Sequence, residues 1–142
     1  MKPVQQLLDE KGHDIQSIHP DDSVFDAIQK LATANIGSLI VVEDDRPVGI
    51  FTERDYARNV ILKGKSSPTT KVRDIMTTRV IFVQPEQTVE HCMAIMTDKH
   101  IRHLPVLRDE KLIGMISIGD LVKSIIADQK YTIEQLEQFI HG

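Results

Sequence analysis

Two segments hold the side chains whose types and spacing could do chemistry: Gly49-Ile50-Phe51-Thr52-Glu53-Arg54-Asp55 and Gly114-Met115-Ile116-Ser117-Ile118-Gly119-Asp120. Each reads glycine, two apolar residues, a hydroxyl, two variable positions and an aspartate. A glycine in a strand lets another backbone or a flat ligand come close, because no Cβ stands in the way. A hydroxyl where a helix starts lies beside unpaired N–H groups and the positive end of the helix dipole, a setting that favours phosphate oxygens. An aspartate three residues on only accepts hydrogen bonds and can take both hydroxyls of a ribose. Together the three describe recognition of a nucleoside phosphate. The spacings Thr52-x-x-Asp55 and Ser117-x-x-Asp120 are also close to that of a helix capping box, and one hydroxyl can serve both purposes.

The elements that must position these groups also occur twice. Residues 19–60 laid over 84–125 without a gap match at Pro20/Pro85, Val24/Val89, Ile36/Ile101, Leu39/Leu104, Val41/Val106, Asp44/Asp109, Gly49/Gly114 and Asp55/Asp120. Apolar character is kept in the same register at Ile28/Met93, Leu31/Met96, Val48/Ile113 and Phe51/Ile116. A repeat of this kind sets the architecture before any single motif does. In each copy helical spacing comes first, at Val24, Ala27, Ile28 and Leu31 and at Val89, Cys92, Met93 and Met96, with Ser23 and Thr88 as N-caps. Two apolar strands follow, joined by the polar turns Glu43-Asp44-Asp45-Arg46 and Arg108-Asp109-Glu110-Lys111. A second helix starts near Asp55 or Asp120, and a short strand precedes each copy around Ile15–Ile18 and Val80–Val83.

The expected architecture is thus α/β (α+β): two pseudo-symmetric β-α-β-β-α repeats packed sheet to sheet, because one such unit alone buries too little surface. The first repeat spans 8–63, a connector without apolar periodicity 64–74, the second repeat 75–127 and a C-terminal helix 128–142. Thr132 with Gln135 reads as a capping box for that last helix, and Ile133, Leu136, Phe139 and Ile140 form its apolar stripe. Packing on the chain's own body is the first reading of the stripe, a dimer contact the second.

Composition narrows the function further. Against 17 Lys and Arg stand 21 Asp and Glu, a net charge of −4, which argues against a general grip on nucleic acid. No apolar run approaches the roughly 20 residues needed to cross a bilayer. Cys92 is the only cysteine and no secretory leader is evident, so the expected compartment is cytoplasmic. Cys92 occupies the inward position where the other copy has Ala27 and is expected to be a buried, inert thiol. His100 and His103 have an H-x-x-H spacing but no further ligands, so no metal is expected. Neither aspartate has an evident acid, base or nucleophile beside it, and an enzyme is not expected.

The doubled pattern, with Ile101-Arg102-His103-Leu104-Pro105-Val106 before the second hairpin and Val72-Arg73-Asp74-Ile75-Met76-Thr77 leading into the second copy, resembles a tandem pair of cystathionine-beta-synthase (CBS) domains, the Bateman module. The resemblance covers residues 8–127 and implies adenosine-nucleotide sites between the repeats and disc-shaped homodimers. By that analogy Asp55 and Asp120 take ribose hydroxyls, Thr52 and Ser117 take phosphate, and adenine lies near Ile18 and Val83. A first site would combine Thr52, Arg54, Asp55 and Arg58 with Arg102 and His103 of the other copy. A second would combine Ser117, Gly119 and Asp120 with Gly37 and Ser38, and holds fewer cations for phosphate, since Gly119 replaces Arg54 and Lys123 replaces Arg58. The implied function is a regulatory module that binds AMP, or ATP, ADP or NAD(H), and signals conformationally to an unknown protein effector. The alternative is a ligand-independent dimerisation scaffold.

Overall fold

Side-chain caps fix where the two equivalent helices begin. In the computed structural model, which describes residues 2–141, the Ser23 hydroxyl accepts from the N–H of Asp26 at the head of α2 (Val24–Ala34), below α1 (Val4–Lys11) in chain order. The Thr88 hydroxyl does the same for His91 at the head of the helix Val89–Lys99. Both helices end on a residue in the left-handed conformation, Asn35 and His100, each at φ 55°. His100 therefore has a helix-ending role that accounts for its place in the sequence. The buried positions Val24, Ala27 and Leu31, and Val89, Cys92 and Met96, follow the expected apolar spacing.

After α2 the chain forms β2 (Ser38–Glu43) and β3 (Arg46–Thr52), with β1 (Ser17–Ile18) pairing parallel to β2. The turn residues Asp44 and Asp45 both have positive φ, at 53° and 63°, the backbone that suits a tight hairpin. α3 (Glu53–Tyr56) follows and runs on as one π-helical turn, Ala57–Ile61. The second repeat has α4 (Val89–Lys99), β4 (His103–Arg108), β5 (Lys111–Ser117) and α5 (Ile118–His141), with Asp109 and Glu110 in the same positive-φ turn. Even the irregularity in each hairpin falls at equivalent points, Val41/Val42 and Val106/Leu107. β3 and β5 approach each other, and Arg46 and Glu110 meet at 3.6 Å across the hairpin tips.

The second copy departs from the expected strand at Val80–Val83, which reduces to a single parallel bridge between Val83 and Val106. The reason lies in Pro105. In the first repeat the Ile40 N–H donates to the Gln16 carbonyl, and Pro105, at the position of Ile40, has no N–H to donate.

The segments before each repeat complete the core of the other one. Val4, Leu7 and Leu8 of α1 are buried with Val83, Leu104, Ile116 and Leu121 of the second repeat. The Val4 N–H donates to the Gln87 carbonyl and the Val89 N–H to that of Lys2. Conversely Val72 and Ile75 are buried with Val24, Leu39 and Phe51 of the first repeat, and the Val24 N–H donates to the Thr70 carbonyl. The two strand glycines receive these segments: a Cβ on Gly114 would stand 2.6 Å from Leu8 Cδ2, and one on Gly49 2.6 Å from Met76 Sδ. Of the close approaches a strand glycine allows, the fold uses contact with the chain's own preceding segment.

α5 corrects the expected break before the last helix. It is continuous from Ile118 to His141, and the Thr132 hydroxyl donates to the Asp128 carbonyl one turn back, so it caps nothing. Nor does its stripe pack on the body: Ile133, Leu136, Phe139 and Ile140 are all exposed. Among the described residues no helix is long and apolar enough to cross a membrane.

Candidate functional site

The first hydroxyl–aspartate pair stands at the β3–α3 junction. The Thr52 N–H donates to Asp55 Oδ2 at 3.0 Å and the Asp55 N–H donates to Thr52 Oγ1 at 3.0 Å, a complete capping box. The Thr52 hydroxyl proton is not used by that box and remains able to donate. Thr77 Oγ1 donates to Asp55 Oδ1 at 3.1 Å, so the hydrogen-bond donors to the carboxylate, the Thr52 N–H and the Thr77 hydroxyl, are neutral. The junction opens on a cleft of about 820 Å³.

Into this cleft the structure brings Thr52, Arg54, Asp55, Arg58, Arg102 and His103, the residues expected for the first site. Gly37 and Ser38, expected in the second site, line this cleft instead. The reason is strand register: Ser38 sits directly opposite Thr52 on β2, and the Glu53 N–H donates to the Gly37 carbonyl. The Ser38 hydroxyl is buried, the residue being 9% exposed, and has no hydrogen-bond partner among the described residues. Arg79 lines the cleft as well and was not among the expected residues. No carboxylate lies within ion-pair distance of Arg54, Arg58, Arg79 or Arg102 among the described residues, whereas Arg73 and Arg46 are both paired. Burial pushes the His103 imidazole below its ordinary value of 6.5, against the pull of Asp120, with Lys11 and Arg102 adding to the effect. The shift favours the neutral ring, which can accept as well as donate.

The second pair repeats the geometry with a different neighbour. The Ser117 N–H donates to Asp120 Oδ2 at 2.9 Å and the Asp120 N–H donates to Ser117 Oγ at 3.1 Å. Here, however, Lys11 from the end of α1 lies 3.0 Å from Asp120 Oδ2 and donates to the Met115 carbonyl at 2.7 Å. Ser117 and Asp120 do not line the first cleft. Burial alone would raise the Asp120 carboxyl, yet the Ser117 N–H and the Lys11 ammonium hold it below the ordinary 3.8. A carboxyl depressed in the folded state stabilises the fold above its unfolded value and loses that contribution as pH falls through the folded one. Urea midpoints of wild type and Asp120→Asn should therefore differ at neutral pH and begin to converge only as pH falls below the ordinary carboxyl value of about 3.8, closing as it passes the lower folded value. A difference that persists unchanged in acid would contradict this.

Two expected placements, those of Ile18 and Val83, are corrected. Ile18 and Val83, assigned to adenine, are core residues at 3% and 0% exposure and do not reach the cleft; Ile81, near Val83, lines it instead. Their outward-facing alternatives were hidden because an apolar run does not declare which face it buries. Cys92 is buried, and desolvation pushes its thiol up to about 11. His19, Asp21 and Glu43 come together at the surface, but Arg73 Nη2 lies 3.0 Å from Asp21 and 3.1 Å from Glu43 and supplies the positive charge there.

The fold and site define a tandem pair of mixed helix-and-strand repeats with hydroxyl–aspartate junctions. The chain belongs to the CBS-domain family, whose profile matches residues 11–61 and 72–127. It is 44% identical over 127 residues to the CBS domain-containing protein CBSX3 of Arabidopsis thaliana, a mitochondrial protein, covering 86% of this chain and 62% of that one. It therefore spans less than two thirds of that relative. The crystal structure of the CBS-domain protein NE2398 is 53% identical with a TM-score of 0.83 and covers 88% of this chain and 98% of that one. The CBS pair of MJ0100, in complex with 5'-methylthioadenosine and S-adenosyl-L-methionine, has the same fold at 24% identity and a TM-score of 0.77, covering 90% of this chain and 98% of that one.

Proposed function

We propose that this CBS pair is a regulatory module whose first cleft binds an adenosine nucleotide. The carrying observation is the gathering of Arg54, Arg58, Arg79 and Arg102, none with a carboxylate partner among the described residues, around Thr52, Asp55 and the buried Ser38 hydroxyl. Unpaired guanidinium groups suit phosphate, and a hydrogen bond from arginine to phosphate contributes about 1.5–3 kcal/mol. Asp55 is placed to accept from ribose, as the family resemblance implies, and the buried Ser38 hydroxyl recovers a partner lost on folding. The cationic lining favours AMP, ADP or ATP over S-adenosylmethionine, whose sulfonium centre the arginines would repel. Nucleotide would act by favouring one arrangement of the repeats, and of two chains, over another, and a separate protein would read the result. A single buried thiol suits a reducing compartment such as the cytoplasm.

A second reading, a dimerisation scaffold that needs no ligand, is favoured by one observation: both hydroxyl–aspartate pairs already close capping boxes, a structural use that requires no ligand. A thermal-shift panel of AMP, ADP, ATP, NAD+, NADH and S-adenosylmethionine separates the two. A ligand at 100 times its Kd adds about 2.7 kcal/mol of stability, a shift of several degrees for a chain of this size. Stabilisation by the adenine nucleotides is expected; no shift with any of the six, on protein stripped of nucleotide, would favour the scaffold.

A further inference from the structure

Thr77, Arg79 and Ile81 line the first cleft while Thr78 and Val80 between them do not, so alternate residues of this stretch present a hydroxyl, a guanidinium and an apolar branch. The order of the three sets a direction. Thr77 stands at the start, where its hydroxyl donates to Asp55 Oδ1 at 3.1 Å and its backbone exchanges two hydrogen bonds with Ile50. Ile81 stands at the end, packed like Ile101 against the core of the second repeat. Arg79 lies between them and is exposed.

Resting on the nucleotide reading of this cleft, the placement of the base starts from Asp55, which takes the two ribose hydroxyls. The base leaves the ribose at C1′ and the phosphate at C5′, so with the hydroxyls held between them the two depart in opposite directions. Asp55 has two sides to match: the Thr52 N–H donates to Oδ2 and the Thr77 hydroxyl to Oδ1. Arg54 and Arg58 follow Thr52 on the helical turns, which puts phosphate on the Thr52 side and the base on the Thr77 side, along residues 77–81. The apolar side chains of the cleft are Ile50, Ile81 and Ile101, and none of the described residues lining it is Phe, Tyr or Trp. Aliphatic branches can cover the edge of a base, but the group here that stacks flat on a purine and is drawn to its π-face is a guanidinium. We infer that Arg79 is the base-stacking residue of the first cleft and a determinant of its preference for a purine. Of the four guanidinium groups, Arg54, Arg58 and Arg102 are then left for phosphate.

Calorimetric titration of the full chain with AMP and with adenosine, the weaker ligand run in competition with AMP, tests this. Arg79→Ala should raise the dissociation constants of both by the same factor, about tenfold, because the lost contact is to the part they share. Arg54→Ala is the opposite case and should weaken AMP while leaving adenosine near its wild-type value. Arg79→Lys keeps the charge without the flat guanidinium and should bind AMP almost as weakly as Arg79→Ala. Arg79 is exposed and belongs to neither core, so both of its variants should keep the Tm of the ligand-free wild type. AMP affinity unchanged in Arg79→Ala overturns the assignment. So does a loss confined to AMP with adenosine unchanged, or an Arg79→Lys that binds AMP like wild type, since either makes Arg79 a phosphate ligand. A wild type that binds neither AMP nor adenosine removes the nucleotide reading itself, and the base contact with it.

Discussion

Asp55→Ala is expected to weaken AMP binding by about 100-fold, whereas Asp120→Ala should change it by no more than about twofold. Two ribose hydroxyls accepted by one carboxylate are charge-assisted hydrogen bonds, and losing both corresponds to about 3 kcal/mol. The two aspartates make a matched comparison because each closes the same capping box, Asp55 with Thr52 and Asp120 with Ser117. Loss of the cap, about 1 kcal/mol in either variant, therefore cancels between them. What differs is the remaining neighbour: the Thr77 hydroxyl at Asp55 and the Lys11 ammonium, 3.0 Å away, at Asp120. A ribose approaching Asp120 would have to displace an ion pair that is partly shielded from water, whereas at Asp55 it meets lone pairs beside a neutral donor. Calorimetric titration should give one AMP per chain for wild type and for Asp120→Ala. Two sites of equal affinity, or equal losses in the two variants, would show that Lys11 does not separate the junctions.

The arrangement of helices and hairpins was legible because it rests on local chemistry written twice. Ser23 and Thr88, the i, i+3, i+4 stripes and the acidic turns each act within a few residues of themselves, and the internal repeat lets each copy check the other. The first cleft was legible where the same logic reached: Thr52, Arg54, Asp55 and Arg58 lie together in the sequence. Arg102 and His103 came from the family resemblance. Arg79 was missed because it lies in an irregular stretch between the repeats, with no periodicity to give its direction. Ser38 was placed in the wrong site because its neighbour in space, Thr52, is set by hairpin register and not by which repeat it belongs to. The exchange of leading segments was the least visible feature. Leu8 and Gly114 meet across almost the whole chain, and the only local sign was a pair of strand glycines, which the sequence offers to a second backbone or a flat ligand and the fold gives to the side chains of Leu8 and Met76. The continuous α5 was obscured in the opposite way, since Thr132 has the right spacing for a cap while nothing in the residues before it stops a helix.

That exchange makes Leu8 the residue whose truncation should cost the most stability. Leu8 is 0% exposed, and its methyl groups fill the space that a Cβ on Gly114 would need. Leu8→Ala removes that contact and leaves a cavity bounded by β5, which cannot collapse because Gly114 has no side chain to move inward. The expected loss is about 2–5 kcal/mol, a large share of the roughly 5–15 kcal/mol of a whole domain, with Tm lowered by several degrees or more. The loss should not stay in the second repeat. α1 is joined directly to the first repeat, and residues 70–76, which close the first core, are joined directly to the second. Opening either unit therefore withdraws a packed segment from the other, and unfolding should remain one transition by both circular dichroism and calorimetry. Two separated transitions, with only one of them moved by Leu8→Ala, would show that the repeats are independent. At temperatures where the variant stays folded, its AMP affinity should match wild type, because Leu8 does not line the first cleft and supplies none of its polar groups. Stability and binding would then be separable in the same molecule, which makes Leu8→Ala the control that an Asp55 variant needs.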